Sequence, residues 1–164
     1  MKRVLCEKQI QKTGLFCLNS FNKMKMNYLL QFDGASKSNP GFAGAGAVIY
    51  DNGNEIWSQS LFVGLKETNN YAEYKGLILG LTKACEMGIK DLHVQGDSQL
   101  IIKQMKGEYK VNSENLLPLF NQAKDLEKNF DSIKYEHIYR EKNKRADRLS
   151  NDAIIDFIKF QINI

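Results

Sequence analysis

Only two prolines and three cysteines occur in the 164 residues, and no window approaches the ~18 uninterrupted apolar residues of a membrane-spanning helix. A proline-rich or collagen-like chain is thereby excluded, and so is a transmembrane protein. The cysteines, Cys6, Cys17 and Cys85, are odd in number, widely spaced and outside any Cys-x-x-Cys pair. That pattern excludes a disulfide framework or a thiolate zinc site and points to a reducing, cytoplasmic setting. What is present is ordinary for a packed core: 43% apolar and 26% charged residues in a length that suits one domain.

The net charge of +4 is unevenly spread. Residues 1–27 carry Lys2, Arg3, Lys8, Lys12, Lys23 and Lys25 against Glu7, for +5, and residues 28–164 carry 17 bases and 18 acids, for −1. Bulk charge therefore cannot hold a polyanion on the domain, and any such binding must come from local patches or bound cations. The basic leader, 1–27, has one apolar knot, Leu15-Phe16-Cys17-Leu18, and no sustained period. It is expected to be an extension of the domain; a targeting peptide is the second reading, with little serine and no amphipathic stripe to support it.

From Tyr28 the pattern sharpens. Tyr28–Phe32 reads as a strand and Asp33–Gly41 as a turn-rich loop. Ala43–Tyr50 and Glu55–Val63 read as two more strands around an Asn52-Gly53 hairpin signal. A helix is predicted over Asn69–Met87, a strand over Leu92–Gly96, helices over Ser98–Met105 and Glu114–Asn129, a strand over Ser132–Arg140 and a closing helix over Asn143–Phe160. This order predicts an α/β fold with a mixed five-stranded sheet, three antiparallel strands followed by two parallel ones, covered by helices on both faces. Nothing in the pattern asks for a second subunit, so a monomer is expected.

Four acids sit where a solvated charge is out of place. Asp33 ends an apolar strand, and Asp97 ends the strand that a helix crossover sets parallel to it, so both fall at one sheet edge. Glu73 shares a helical face with Leu77, Leu81 and Ala84, and Asp147 lies on the margin of the stripe Leu149, Ala153, Ile154, Phe157. Singly, each is explained as a turn former or a helix first-turn acid. Together they would repel strongly and need cations, and clustered carboxylates without histidine or cysteine suit Mg²⁺ or Mn²⁺. Two such ions would stabilise the attacking and leaving oxygens of a phosphodiester hydrolysis.

Four segments carry a resemblance: Phe32-Asp33-Gly34-Ala35, Thr68-Asn69-Asn70-Tyr71-Ala72-Glu73-Tyr74, Gly96-Asp97-Ser98-Gln99-Leu100 and Asn143 to Asn151. In this order and spacing the chain resembles type 1 ribonuclease H, over roughly Asn27 to Ile155. The resemblance implies a ribonuclease H-like fold and hydrolysis of the RNA strand of an RNA–DNA hybrid to 5′-phosphate and 3′-hydroxyl products. It also implies that Asp33 bridges two ions, that Glu73 and Asp97 hold the ion aligning the water, and that Asp147 holds the other. Asn39, Asn69 and Asn70 would then reach 2′-hydroxyls, and Thr68, with Lys66 and Asn112, would hold a phosphate of the DNA strand.

Simpler roles stand beside these: Asn39 as a turn residue, and Asn69 or Asn70 as a helix cap. The family's basic protrusion is missing, with Gly107–Asn112 in its place. The cluster Arg140, Lys142, Lys144, Arg145 and Arg148 either substitutes for it or is a solvated helix start. His137 reads as a strand residue alternating with Tyr135 and Ile133, not as the family's loop histidine, and His93 reads as a satisfied core residue. Trp57, Phe42 and Phe62 are candidates for stacking on the DNA strand, with packing the better account of Phe62. Two other functions remain: a catalytically silent nucleic-acid-binding module of the same fold, and a related nuclease of the same fold acting on double-stranded RNA or as a 3′ exonuclease, the exonuclease disfavoured by the absence of an Asp-x-Glu at Asp33.

Overall fold

In the computed structural model, which describes residues 27–162, five strands form one sheet in the order β3-β2-β1-β4-β5. The strands are β1 (Tyr28–Lys37), β2 (Gly41–Asp51), β3 (Asn54–Glu67), β4 (Asp91–Gly96) and β5 (Ser132–His137). The helices are α1 (Asn69–Glu86), α2 (Gln99–Met105), α3 (Leu117–Glu127) and α4 (Lys144–Ile162). β1 pairs antiparallel with β2 and β2 with β3, whereas β4 runs parallel to both β1 and β5. Leader positions 1–26, including the apolar knot, Cys6 and Cys17, lie outside the described residues.

Alternation along β1 and β4 sorts the two faces. Leu30, Phe32, Leu92 and Val94 join Leu77, Leu81, Ile101, Ile102, Leu119 and Ala123 in the main core beneath α1, α2 and α3. On the other face α4 lies across β1, β2 and β3, where Val48 packs against Ala146 and Leu149. The hairpin signal is realised with Asn52 at φ 49° and Gly53 at φ 86°, the paired positive angles of a two-residue turn matched to strand twist.

Several boundaries differ from the sequence reading, and β3 runs on to Glu67 rather than ending at Val63. β1 does not stop at Phe32: β2 pairs with it as far as Lys37↔Phe42, so Asp33 lies inside a strand rather than at the start of a loop. Its parallel partner β4 does stop there, at Phe32↔Gly96, so the sheet forks one residue before Asp33. The polar stretch after Asp33 looked like loop because a strand at a fork buries little. α3 begins at Leu117 rather than Glu114, with Pro118 in the first turn, where its missing N–H costs nothing. β5 ends at His137, and Arg140–Lys142 form a 3-10 turn leading into α4.

Both helix layers approach the sheet at main-chain distance. A Cβ built on Gly34 would lie 2.1 Å from Glu73 N, and one on Gly76 would lie 2.6 Å from Asp33 O. Opposite, a Cβ on Gly46 would lie 2.5 Å from Ala146 O and 2.6 Å from Leu149 Cβ. Gly46→Ala is therefore expected to cost ~1–3 kcal/mol, the range for overpacking a filled contact. A urea titration should show an earlier midpoint with little change in slope.

Candidate active site

The fork after Phe32 opens the sheet where the acids meet. Asp33 comes from β1, Glu73 from the second turn of α1, and Asp97 from the residue after β4. One carboxylate oxygen of each lies within 4.8 Å of the others. Asp147, in the first turn of α4, lines the same cavity of about 480 Å³, with Ser36, Asn69, Ser98, Arg140 and Asn151 also on its wall. Its carboxylate is turned to Arg140, whose Nε lies 3.1 Å from Oδ1 and whose Nη2 also donates to it. The structure thus brings all four expected acids to one cavity, three with carboxylate oxygens within 4.8 Å of one another and the fourth paired with Arg140.

Asp33 and Glu73 are 5% and 4% exposed, so both are nearly cut off from water. Burial, reinforced by Asp97 and Asp147, raises the Asp33 carboxyl from 3.8 to about 7, against the Ser150 hydrogen bond that lowers it. Burial also pushes Glu73 well up, helped by the charges of Asp33 and Asp97 and opposed by the amide of Gly34. Glu73 Oε2 is buried without a hydrogen-bond partner. An all-oxygen donor set with an orphaned acceptor and crowded like charges fits a hard divalent cation.

Two residues that sequence reasoning gave no role hold these acids in place. Ser150 Oγ lies 2.5 Å from Asp33 Oδ2 and 2.8 Å from Asp147 O. Fully buried Asn143 donates through Nδ2 to Asp97 Oδ1 at 3.1 Å and to Phe32 O at 2.9 Å. Ser150 was visible as a polar residue within the apolar stripe of α4, but nothing in its spacing said which acid it serves.

The reverse transcriptase-like family matches residues 31–153. A bifunctional protein of Mycobacterium tuberculosis is 42% identical over 131 residues, which make up 79% of this chain and 36% of that one. Ribonuclease HI of Halobacterium salinarum is 38% identical over 125 residues, 76% of this chain and 63% of that protein. Its crystal structure superposes with TM-score 0.76 over 79% of this chain and 98% of the archaeal one. The chain belongs to the type 1 ribonuclease H family. A further member, LC11-RNase H1 solved in complex with an RNA/DNA hybrid, is 36% identical, with TM-score 0.76 over 80% of this chain and 99% of that one. The chain spans about a third of the mycobacterial relative's length and less than two thirds of the curated archaeal protein.

The residues that the family resemblance assigned to substrate are dispersed around the cavity. Asn69 lines it; Asn39, Thr68 and Asn70 line a neighbouring hollow with Ser113, and Lys66 and Thr68 line a third with Tyr71. Asn112 is exposed on the connection before α3. The cap of α1 is neither Asn69 nor Asn70: Thr68 Oγ1 accepts from Tyr71 N at 3.2 Å, and Asn39 Oδ1 accepts from Asn69 N at 3.0 Å. Asn39 is therefore more than a turn former, since it ties the β1–β2 turn to the helix that carries Glu73.

The basic cluster is largely paired. Arg145 forms a two-pronged contact with Glu55, at 2.9 and 2.8 Å, and reaches Ser58 at 3.0 Å, which holds the Glu55 carboxyl down at about 2. Arg148 lies 3.5 Å from Asp152. His137 is exposed at the end of β5, where its Nε2 lies 3.2 Å from Asp97 O, so it sits beside the site rather than in the core. Half-buried His93 faces Glu136 at 2.6 Å, and burial lowers its pKa. Phe62 stacks on Phe157 at 3.7 Å and Trp57 packs on the main core, so neither is a free platform.

A carboxyl whose pKa is raised by folding stabilises the protein below its ordinary value and loses that contribution as pH climbs through the raised one. With Asp33 near 7 instead of 3.8, the cation-free protein is expected to lose stability between about pH 4 and 7. Asp33→Asn should flatten that decline and stabilise the protein at pH 8 by on the order of 1–4 kcal/mol. Urea unfolding in EDTA at pH 4.5, 6 and 8 measures both.

Proposed function

We propose that this chain is a divalent-metal-dependent endonuclease that hydrolyses the RNA strand of RNA–DNA hybrids, leaving 5′-phosphate and 3′-hydroxyl ends. The observation that carries this reading is the meeting of Asp33, Glu73 and Asp97 at the sheet fork, with Asp147 on the wall of the same cavity. The relationship to a ribonuclease H1 solved on an RNA/DNA hybrid supports the choice of substrate.

In this reading Asp33, Glu73, Asp97 and Asp147 are the catalytic carboxylates and hold the metal, with Mg²⁺ the expected ion and Mn²⁺ able to replace it. The bound cations would polarise the phosphodiester and make a water nucleophilic at neutral pH. The protein's own part is orientation and electrostatics. Ser150 fixes the rotamer of Asp33, and Asn143 fixes that of Asp97. Both carboxyls with raised pKa values must give up their protons to bind a cation, so loading favours higher pH. Arg140 neutralises Asp147 until a cation or a phosphate competes for one of the pair.

For the substrate, Asn39, Asn69 and Asn70 are assigned to 2′-hydroxyls of the RNA strand, and Thr68, Lys66 and Asn112 to a phosphate of the DNA strand. The exposed N-terminus of α1, where Thr68 and Asn39 lie, supports this, since the helix dipole favours anions there. Arg140, Lys144 and Arg145 form the basic flank, with Arg145 held in reserve by Glu55. Residues 28–164 form the catalytic unit, and 1–27 an extension of it.

Incubation of a labelled hybrid, an RNA duplex and single-stranded RNA with Mg²⁺, Mn²⁺ or EDTA tests the reading. Cleavage of the hybrid alone, with metal only, is the expected result; tight binding without cleavage in either metal would mean a silent module instead. Asp33→Asn should lower turnover by at least ~10³-fold, the scale of losing a principal electrostatic group. Near-normal activity would overturn the assignment. Lys144→Ala should make the salt dependence of hybrid binding shallower by about one unit per lost phosphate contact, whereas Arg145→Ala, already neutralised by Glu55, should leave the slope unchanged.

A further inference from the structure

β4 and β5 extend past α4, leaving on that face a row of polar side chains beside the site: Gln31, His93, Gln95 and Glu136. They form a chain with a direction. Gln95 Nε2 donates to Glu136 Oε2 at 3.0 Å, Gln31 Nε2 donates to Gln95 Oε1 at 3.1 Å, and Gln31 Nε2 also donates to the main-chain oxygen of Lys142 at 3.2 Å. Lys142 O belongs to the 3-10 turn that carries Arg140, and the next residue is Asn143, which holds Asp97.

An amide side chain can be turned end for end, so a row of glutamines has no polarity of its own. Glu136 supplies it. An ionised carboxylate only accepts, which forces the Gln95 amide to present nitrogen to Glu136 and oxygen to Gln31. Gln31 must then present its nitrogen, and that nitrogen also faces Lys142 O. The Gln95 amide holds the Glu136 carboxyl below the usual range, which keeps it an acceptor, and His93 adds a second contact at 2.6 Å. Gln31 is only 8% exposed in an otherwise apolar central strand, where a polar group unpaired costs stability.

We propose that Glu136, Gln95 and Gln31 form a positioning relay that fixes the Arg140–Asn143 segment over the sheet fork, and so sets the aim of Asn143 at Asp97 and of Arg140 at Asp147. None of the three touches the reacting atoms. The relay rests on the nuclease reading for its consequence in catalysis, while its effect on cation binding rests only on the geometry of the carboxylates.

The test uses the full chain and two readouts: the rise in melting temperature on adding Mg²⁺ or Mn²⁺ to hybrid-free protein, titrated for affinity, and cleavage of a hybrid. Gln31→Leu and Glu136→Leu are each expected to weaken cation affinity about tenfold and to lower kcat while leaving the KM for hybrid near its original value. Because Gln31 and Glu136 meet only through Gln95, the double variant should be hardly worse than either single one. Glu136→Gln, which still offers Gln95 an oxygen, should regain most of what Glu136→Leu loses. Urea unfolding in EDTA confirms that each variant is folded, and Gln31→Glu, which sets an acceptor against Lys142 O, supplies a second break in the relay. Unchanged cation affinity in Gln31→Leu and Gln31→Glu, or strictly additive losses in the double variant, would overturn the relay. A parent protein that binds the cation but leaves the hybrid intact would overturn the nuclease reading and leave the relay standing on its affinity readout.

Discussion

Three carboxylates held within a few ångströms of one another, two of them almost out of water, set the terms for everything around them. Their mutual repulsion and lost hydration oppose folding, and burial beside like charges pushes the carboxyls of Asp33 and Glu73 up. A site like this cannot be stabilised by its own contacts. It has to be imposed by surrounding packing strong enough to keep like charges together, which is what the core beneath α1 and the seam beneath α4 provide.

Imposition works through the main chain. α1 sits so close to β1 that the backbone of Glu73 occupies the space a side chain at Gly34 would need, and α4 meets β2 in the same way at Gly46. The sheet fork between Phe32 and Asp33 then gives the acids an opening, because β1 continues with β2 after β4 has ended. Ser150 and Asn143 supply the final aim from α4 and its entry turn. Two arginines near the site are engaged: Arg145 with Glu55 joins α4 to β3, and Arg140 sits on Asp147.

The order of elements, the antiparallel-then-parallel sheet and the four acids were legible because each leaves a local mark: an Asn-Gly pair, a 3.6-residue period, an acid where apolar residues should continue. The extent of β1 was not, since Asp33–Lys37 is short of apolar residues and only its pairing with β2 makes it strand. The start of α3 was misplaced because Glu114 looks like a helix opener, and the proline four residues later decided the boundary. Capping of α1 by Thr68 and Asn39 depends on a turn thirty residues upstream, a long-range relation that no local pattern carries. His137 alternates correctly with Tyr135 yet falls at the end of its strand, where alternation no longer means burial.

The contacts at Gly34, Gly76 and Gly46 carry a genetic consequence. A clash between two side chains can be relieved by shrinking either partner, but at these positions one partner is already glycine and the other includes peptide backbone, which no codon change can trim. Mutations there should lack local suppressors. In a lineage of this protein such sites would behave as one-way doors, lost only together with the site they hold shut.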